Sequence, residues 1–368
     1  MEPDSLIWVC ALNKIFVHRC RVGVKLLEYF GSASEVFRQS SDTLGSLLGW
    51  KTDVVGRIKD PGITEWARQE VEWACENGVR LIPFGSKAYP YRLAECEDAP
   101  LLLYYRGNAD LNASRVLSVV GTRRCSLYGR SYCKSIIESL SRIRPAPLIV
   151  SGMALGIDGC AHLSALEAGL DTVGVMPCGL DGIYPRQHRD LAGQVAGHGA
   201  LITDFCRGTS PVAASFVSRN RIIAGLADAV LLVESYAKGG GLITVSLAQS
   251  YGREVFAVPG RINDDSFQGC NKSISSNLAQ IVTSPDAVGE AMGWNCRSEK
   301  GSGPSLFRND DSQLKRSVLA SLKQYSPLGM EELAARCGRS VPEISSILLE
   351  LELDGRVSSS GGNFLLSL

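Results

Sequence analysis

The sequence has no excess of charge of either sign. Its 38 basic and 38 acidic residues cancel, so no global field draws the chain to a polyanion or a membrane surface. A nucleic acid would have to meet a local patch. No apolar run is long enough to span a bilayer, which argues against a membrane partner, and the start, Met-Glu-Pro-Asp-Ser, lacks the basic segment of a secretory signal. Histidine is scarce, with four residues, and these do not cluster with the twelve cysteines, none of which has C-x-x-C spacing. The usual zinc spacings are therefore missing, and the cysteines read as reduced thiols in a cytoplasm. Cys125 and Cys270 stand beside basic, glycine-rich turns, where a thiol is either somewhat reactive or buried and inert. No turn reads G-x-G-x-x-G with an acidic residue after the next strand, and none reads G-x-x-x-x-G-K-[ST]. Neither a dinucleotide cofactor nor a P-loop ATPase is supported, and no cofactor or metal is expected.

What the chain does have is apolar residues, 45% of 368, enough for about two to three domains. Residues 1–78 read as short helices with glycine-containing turns, a small helical-hairpin bundle. Two strand-like segments follow at 80–83 and 100–107. An alternation then sets in, with apolar runs at 116–120, 148–152, 172–176, 200–203, 229–233 and 254–258 separated by helical stretches. Continuous apolar strands alternating with helices mean a parallel sheet covered on both faces. The fold class is thus α/β: a Rossmann-like, doubly wound, mostly parallel sheet within an extended domain at 79–292. Residues 293–311 lose periodicity and gather Gly, Ser and charge, as a linker does. Residues 312–368 read as three helices, at 314–324, 330–337 and 341–353, and a hairpin turning at Gly361-Gly362, which is a winged helix. Its third helix carries Glu343, Glu350 and Glu352 and no Lys or Arg, so contact with protein is as reasonable there as contact with DNA.

Three turns suit anions. They are Gly121-Thr122-Arg123-Arg124, the stretch from Ser151-Gly152 to Asp158, and Lys238-Gly239-Gly240-Gly241 at the start of a helix. Glycines let backbone N–H groups approach an anion, and a helix N-terminus carries partial positive charge. Arg219-Asn220-Arg221 adds two planar forks around an amide. If that segment is extended, both arginines point the same way, and Arg123, Arg221 and Lys238 form one basic cleft. Arg219 can instead be structural, held by Glu234 or Asp158. Asp158 and Glu234 read as loop-fixing carboxylates rather than as an acid–base pair, and His162, one helical turn past Asp158, is placed to pair with it.

These segments resemble the DNA-processing protein A (DprA/Smf) family. The resemblance lies in Val-Gly-Thr-Arg, Ser-Gly-Met-Ala-Leu-Gly-Ile-Asp-Gly-Cys-Ala-His, Cys178-Gly179-Leu180-Asp181 with Tyr184-Pro185, Phe-x-x-Arg-Asn-Arg-Ile-Ile-Ala-Gly-Leu, and the run from Gly252 to Gly260. It implies a sterile-alpha-motif-like N-terminal domain, a C-terminal winged helix and a dimer formed through the sheet domain. It also implies a non-enzymatic role: binding and protecting single-stranded DNA during natural transformation and loading the RecA recombinase onto it. Carried over by position, the nucleic-acid contacts would be Gly121, Thr122, Arg123, Ser151, Gly152, Phe216, Arg219, Asn220, Arg221, Lys238, Gly239, Gly240 and Gly241. Gly239 stands where the family has serine, which removes one hydroxyl donor and keeps the backbone donors. The alternative is a Rossmann-like nucleoside-monophosphate phosphoribohydrolase. Its loop reads Pro-Gly-Gly-x-Gly-Thr-x-x-Glu, whereas here neither the proline nor the glutamate is present.

Overall fold

The computed structural model describes residues 3–48, 52–294, 311–325, 327–353, 356–360 and 363–366. Contacts divide the chain into two compact units, 1–296 and 297–368.

The first unit opens with six helices: α1 (Pro3–Phe16), α2 (Cys20–Phe30), α3 (Ala33–Arg38), α4 (Ser41–Leu48), α5 (Thr52–Lys59) and α6 (Pro61–Glu76). Then come β1 (Arg80–Pro83), α7 (Tyr91–Ala94), β2 (Leu102–Gly107), β3 (Val116–Val120), α8 (Leu127–Leu140), β4 (Leu148–Ser151), α9 (Ile157–Glu167) and β5 (Thr172–Val175). The unit continues with α10 (Arg189–Gly197), β6 (Gly199–Thr203), α11 (Ala213–Leu226), β7 (Ala229–Leu232), α12 (Gly241–Ser250), β8 (Glu254–Ala257), α13 (Gln268–Ser275), β9 (Gln280–Ile281) and α14 (Ala287–Ala291).

All nine strands form one sheet in the order β1-β2-β6-β5-β4-β3-β7-β8-β9. The pairings from β6 to β9 are parallel, while β1 and β2 extend one end in antiparallel fashion. Every residue of β3, β4, β5, β6 and β7 is buried, as expected for strands covered by helices on both faces. The N-terminal helices do not close a core of their own. Leu12, Phe16, Leu26 and Leu44 pack in one cluster with Leu101, Leu102 and Tyr104 of the β2 region and Leu201 of β6. No helix among the described residues is long and apolar enough to cross a membrane.

The second unit holds α15 (Asp311–Tyr325), β10 (Leu328–Gly329), α16 (Met330–Cys337), α17 (Val341–Leu353), β11 (Val357–Ser360) and β12 (Asn363–Leu366). Val318, Leu322, Leu333, Ile344, Ile347 and Leu351 form its core. The three helices and the β11–β12 wing are those read from the sequence. The short β10, which pairs Leu328 with Phe364, was not. The glycine turn at 361–362 and most of the expected linker lie outside the described residues. The acidic side chains of α17 have local work. Glu350 pairs with Lys315, Glu343 accepts from the Ser340 N–H at 2.9 Å, and Glu352 accepts from the Ser359 N–H at 3.2 Å.

Candidate functional site

Ligands of open α/β sheets gather beyond the carboxyl ends of the strands, where the strand order reverses. Here β4, β5 and β6 leave β3 on one side, and β7 and β8 leave it on the other, so the reversal falls between β3 and β7. A cleft of about 670 Å³ opens at that point.

One wall is the turn after β3. The Thr122 N–H donates to the Glu234 carbonyl at 2.8 Å, and the Ile157 N–H donates to the Thr122 carbonyl at 3.1 Å, so the turn is braced from both neighbouring segments. Gly121 is required by that closeness, since a Cβ there would lie 2.6 Å from Ile157 Cγ1 and 3.0 Å from the Glu234 carbonyl oxygen. The Arg124 N–H donates to Thr122 Oγ1 at 3.2 Å, which leaves the threonine hydroxyl hydrogen free for another acceptor. Arg123 and Arg124 are exposed, and neither has an ion-pair partner among the described residues. The Arg123 guanidinium lies over Phe216, 4.7 Å from the ring centroid.

The opposite wall is the glycine turn that starts α12. The Gly240 and Gly241 N–H groups have no acceptor among the described residues, and both residues line the cleft. Two such donors at the start of a ten-residue helix suit an anion. Lys238 is exposed on an adjoining depression that shares Gly239 and Gly240 with the cleft.

The base is α11, and here the sequence reading is corrected. Residues 219–221 are helical, not extended. Successive helical residues turn by about 100°, so Arg219 and Arg221 stand about 200° apart, on opposite faces. Phe216, Arg219, Asn220 and Ile223, at helical spacing, line the cleft. The Asn220 amide makes no side-chain hydrogen bond among the described residues and lines the cleft.

Arg219 is only 3% exposed. Its Nη1 donates to the Val175 carbonyl at 2.6 Å and to the Gly152 carbonyl. Gly152 fits there because a Cβ would collide with that guanidinium. The Arg219 Nε is buried without a partner among the described residues. Burial brings the pKa of this guanidinium down to about 10, against the attraction of Asp158 and aided by the charge of Arg123. Neither acid expected to hold Arg219 makes an ion pair with it, so a buried positive charge remains under the cleft.

Arg221 does not belong to the cleft. It reaches the other way, to the Asp204 carboxylate, the Asp98 carbonyl and Cys20 Sγ. Ser151 and Gly152 are also absent from the lining. The Ser151 hydroxyl is committed to the Val119 carbonyl at 2.6 Å, and the Gly152 carbonyl to Arg219. Sequence reasoning also missed Tyr236, 44% exposed on the rim two residues past Glu234.

The carboxylates near the cleft are engaged. Glu234 accepts from the Ser126 N–H at 2.9 Å and from its hydroxyl at 3.0 Å. Asp158 accepts from the Ala154 N–H at 3.3 Å. Burial raises the Asp158 pKa, while Arg219 opposes the shift. His162 is not paired with Asp158; its Nδ1 meets Thr172 Oγ1 at 2.7 Å, and Nε2 is buried without a partner among the described residues. Of the two thiols beside basic turns, Cys270 is buried and pushed up to about 12 by burial.

The sequence profile described as DNA recombination-mediator protein A matches residues 80–293, and that of the DprA winged helix domain matches 307–363. The chain belongs to the DNA recombination-mediator protein A (DprA) family. Protein Smf of Escherichia coli K12 is 34% identical over 299 residues, which cover 80% of this chain and 79% of that protein. DNA processing protein DprA of Streptococcus pneumoniae is 38% identical over 202 residues, 55% of this chain and 71% of its own. The X-ray structure of the Streptococcus pneumoniae protein matches 76% of this chain and 94% of that one, with a TM-score of 0.60 and 31% identity. The Helicobacter pylori DNA processing protein A, whose structure was described for its single-stranded DNA binding mode, matches 58% of this chain and 95% of its own, with a TM-score of 0.52 and 27% identity. Both arms of the cleft, and its α11 base, lie inside the matched domain.

His162 gives this domain a pH dependence of its own. Burial, aided by the charges of His188 and Arg219, lowers its pKa to about 3. An unfolded chain titrates histidine near 6.5. Between these values the unfolded state binds a proton that the folded state refuses, so stability falls as pH drops from about 6.5 to 3, by up to about 1.4 kcal/mol per pH unit. Above that window the contribution is fully present. Urea melts of the parent and of His162→Gln across this range should show a shallower pH slope in the variant; parallel slopes would remove His162 as the cause.

Proposed function

We propose that the cleft between β3 and β7 binds single-stranded DNA by its phosphates, and that the chain acts as a non-catalytic recombination mediator. One observation carries this reading. The Thr122 hydroxyl, the Asn220 amide, the Gly240 and Gly241 N–H groups and the exposed Arg123 all face one cleft as unspent donors. That set is made for anionic oxygens. A hydrolytic role would need a carboxylate or histidine poised for proton transfer, and Asp158, Glu234 and His162 are spent on the protein itself. The single-stranded DNA binding of the Helicobacter pylori relative supports the choice of ligand.

Contacts to phosphate read no sequence, so binding should be sequence-tolerant and strongly salt-dependent. Fluorescence anisotropy with oligo-dT over a sodium chloride series should give a linear log–log plot, with a slope of about −0.7 per neutralised phosphate. An affinity that ignores salt would overturn this reading.

Family membership supports the wider role, in which the chain works in the cytoplasm, protects a strand entering during natural transformation and passes it to the RecA recombinase. RecA filament assembly on coated single strands should speed up with substoichiometric amounts of this chain; an unchanged rate removes the RecA step. We also assign a homodimer to the sheet domain. The outer edge of β9 pairs with no strand among the described residues, and Leu278 and Ile281 are 45% and 48% exposed there. Light scattering should report twice the chain mass, and a monomer at micromolar concentration counts against it.

A further inference from the structure

Phe216 stands between two clefts. On one side the Arg123 guanidinium covers its ring. On the other, Tyr184 meets it edge to face, with centroids 5.4 Å apart and planes at 69°. Tyr184 lies in the segment between β5 and α10, in the Tyr184-Pro185 motif that the phosphate site leaves unexplained. Tyr184 is 39% exposed, and its hydroxyl has no hydrogen-bond partner among the described residues. A half-exposed tyrosine is ordinary by itself. Its surroundings are not.

Tyr184 borders a second cleft of about 1110 Å³, together with Arg186, Arg189 and Leu155. Both arginines are exposed, and neither has a carboxylate at ion-pair distance among the described residues. The acid in this cleft, Asp181, is engaged by the Gly208 N–H at 2.9 Å. Asp190, exposed at the start of α10, is the neighbouring negative charge and pairs with neither arginine. A part-exposed aromatic ring bordering a cleft with two exposed guanidiniums matches a nucleotide's two halves: a base can stack on a ring, and phosphates meet planar forks.

We propose that the single strand leaves the first cleft across the Phe216–Tyr184 pair, stacks a base on Tyr184 and lays its next phosphates on Arg186 and Arg189. The proposal rests on the single-strand reading of the first cleft and extends it by a second subsite. Stacking uses the π-face common to all bases, so the subsite adds affinity without sequence preference. The tyrosine hydroxyl has no part in it.

The test uses the full chain with oligo-dT of about four and about sixteen nucleotides, the range over which single-strand sites vary, and an abasic strand of the longer length. Tyr184→Ala should weaken the longer oligo-dT about tenfold and leave the short one within about twofold, while Tyr184→Phe binds like the parent. The parent should bind the abasic strand about tenfold more weakly than oligo-dT, and Tyr184→Ala should lose most of that difference. Arg186→Ala/Arg189→Ala should flatten the salt slope by about 1.4 on the longer strand only. If Tyr184→Ala weakens both lengths equally, it acts through Phe216 on the first cleft and the path is wrong. If these variants bind the longer strand like the parent while Arg123→Ala/Arg124→Ala binds it weakly, the path is wrong and the first cleft stands. If Arg123→Ala/Arg124→Ala also binds normally, the single-strand reading falls with it.

Discussion

Arg221→Ala should destabilise the sheet domain by about 3–5 kcal/mol and leave the DNA affinity of the folded protein unchanged. The sequence suggests the opposite, because Arg221 stands in the most basic part of the family motif. Its position in the fold decides the matter. Arg221 is 6% exposed, and the Asp204 carboxylate it pairs with is fully buried. The same guanidinium also donates to the Asp98 carbonyl and lies 3.3 Å from Cys20 Sγ, so one side chain ties α2, the segment before β2 and the end of β6 to α11. Burial opposes its charge, yet Asp204 and the neighbouring groups hold its pKa above the ordinary arginine value. Removing the guanidinium strands a carboxylate in an apolar interior, which is far worse than losing a surface pair. Burial already raises the Asp204 pKa against the pull of Arg221, so in the variant this acid should fold protonated and the deficit should shrink at low pH. Urea melts at two pH values, beside oligo-dT anisotropy well below the midpoint, separate the roles. A variant that melts like the parent but loses DNA would return Arg221 to the cleft.

That reversal marks how far the sequence carries. The parallel strands were legible because a strand buried on both faces is nearly continuously apolar, as 229–232 is throughout and 116–120 is save for Ser118, whose hydroxyl donates to the Ile223 carbonyl at 2.6 Å. The glycine turns were legible for a related reason, since crowding at Gly121 by the Ile157 side chain and the Glu234 carbonyl leaves no room for a Cβ. The partner of a polar side chain leaves no such trace. An arginine that binds phosphate and one that binds carbonyls have the same spelling, and so Arg219 and Arg221 read alike. Placing them in an extended segment also hid the helical spacing of Ser215, Arg219, Ile222 and Ile223, all buried on α11. The apolar run at 101–104 reads as a strand; nothing in it tells that Leu101 and Leu102 face α1 and α2 rather than solvent. The two-residue β10 is too short to have a period.

Arg123→Ala/Arg124→Ala should weaken oligo-dT binding about a hundredfold at moderate salt, and should do so without loss of folding. The two residues differ from Arg221 in every relevant respect. They are exposed, neither has an ion-pair partner among the described residues, and the backbone of their turn is fixed by bonds that do not involve their side chains. Their loss therefore strands nothing in the interior, and the melting curve should stay close to the parent's. Each arginine that neutralises a phosphate on a single strand accounts for a slope of about 0.7, so the double variant should flatten the log–log salt plot by about 1.4. Its deficit should also narrow as salt rises, because the lost contacts are those that salt screens. Arg123 has a second part, since it covers Phe216, and its removal frees that ring to move. The single variants divide these effects: Arg124→Ala should change slope and affinity together, whereas Arg123→Ala should retain a deficit at high salt from the lost order of Phe216. A double variant with the parent's slope would show that no phosphate sits at this turn, whatever its affinity.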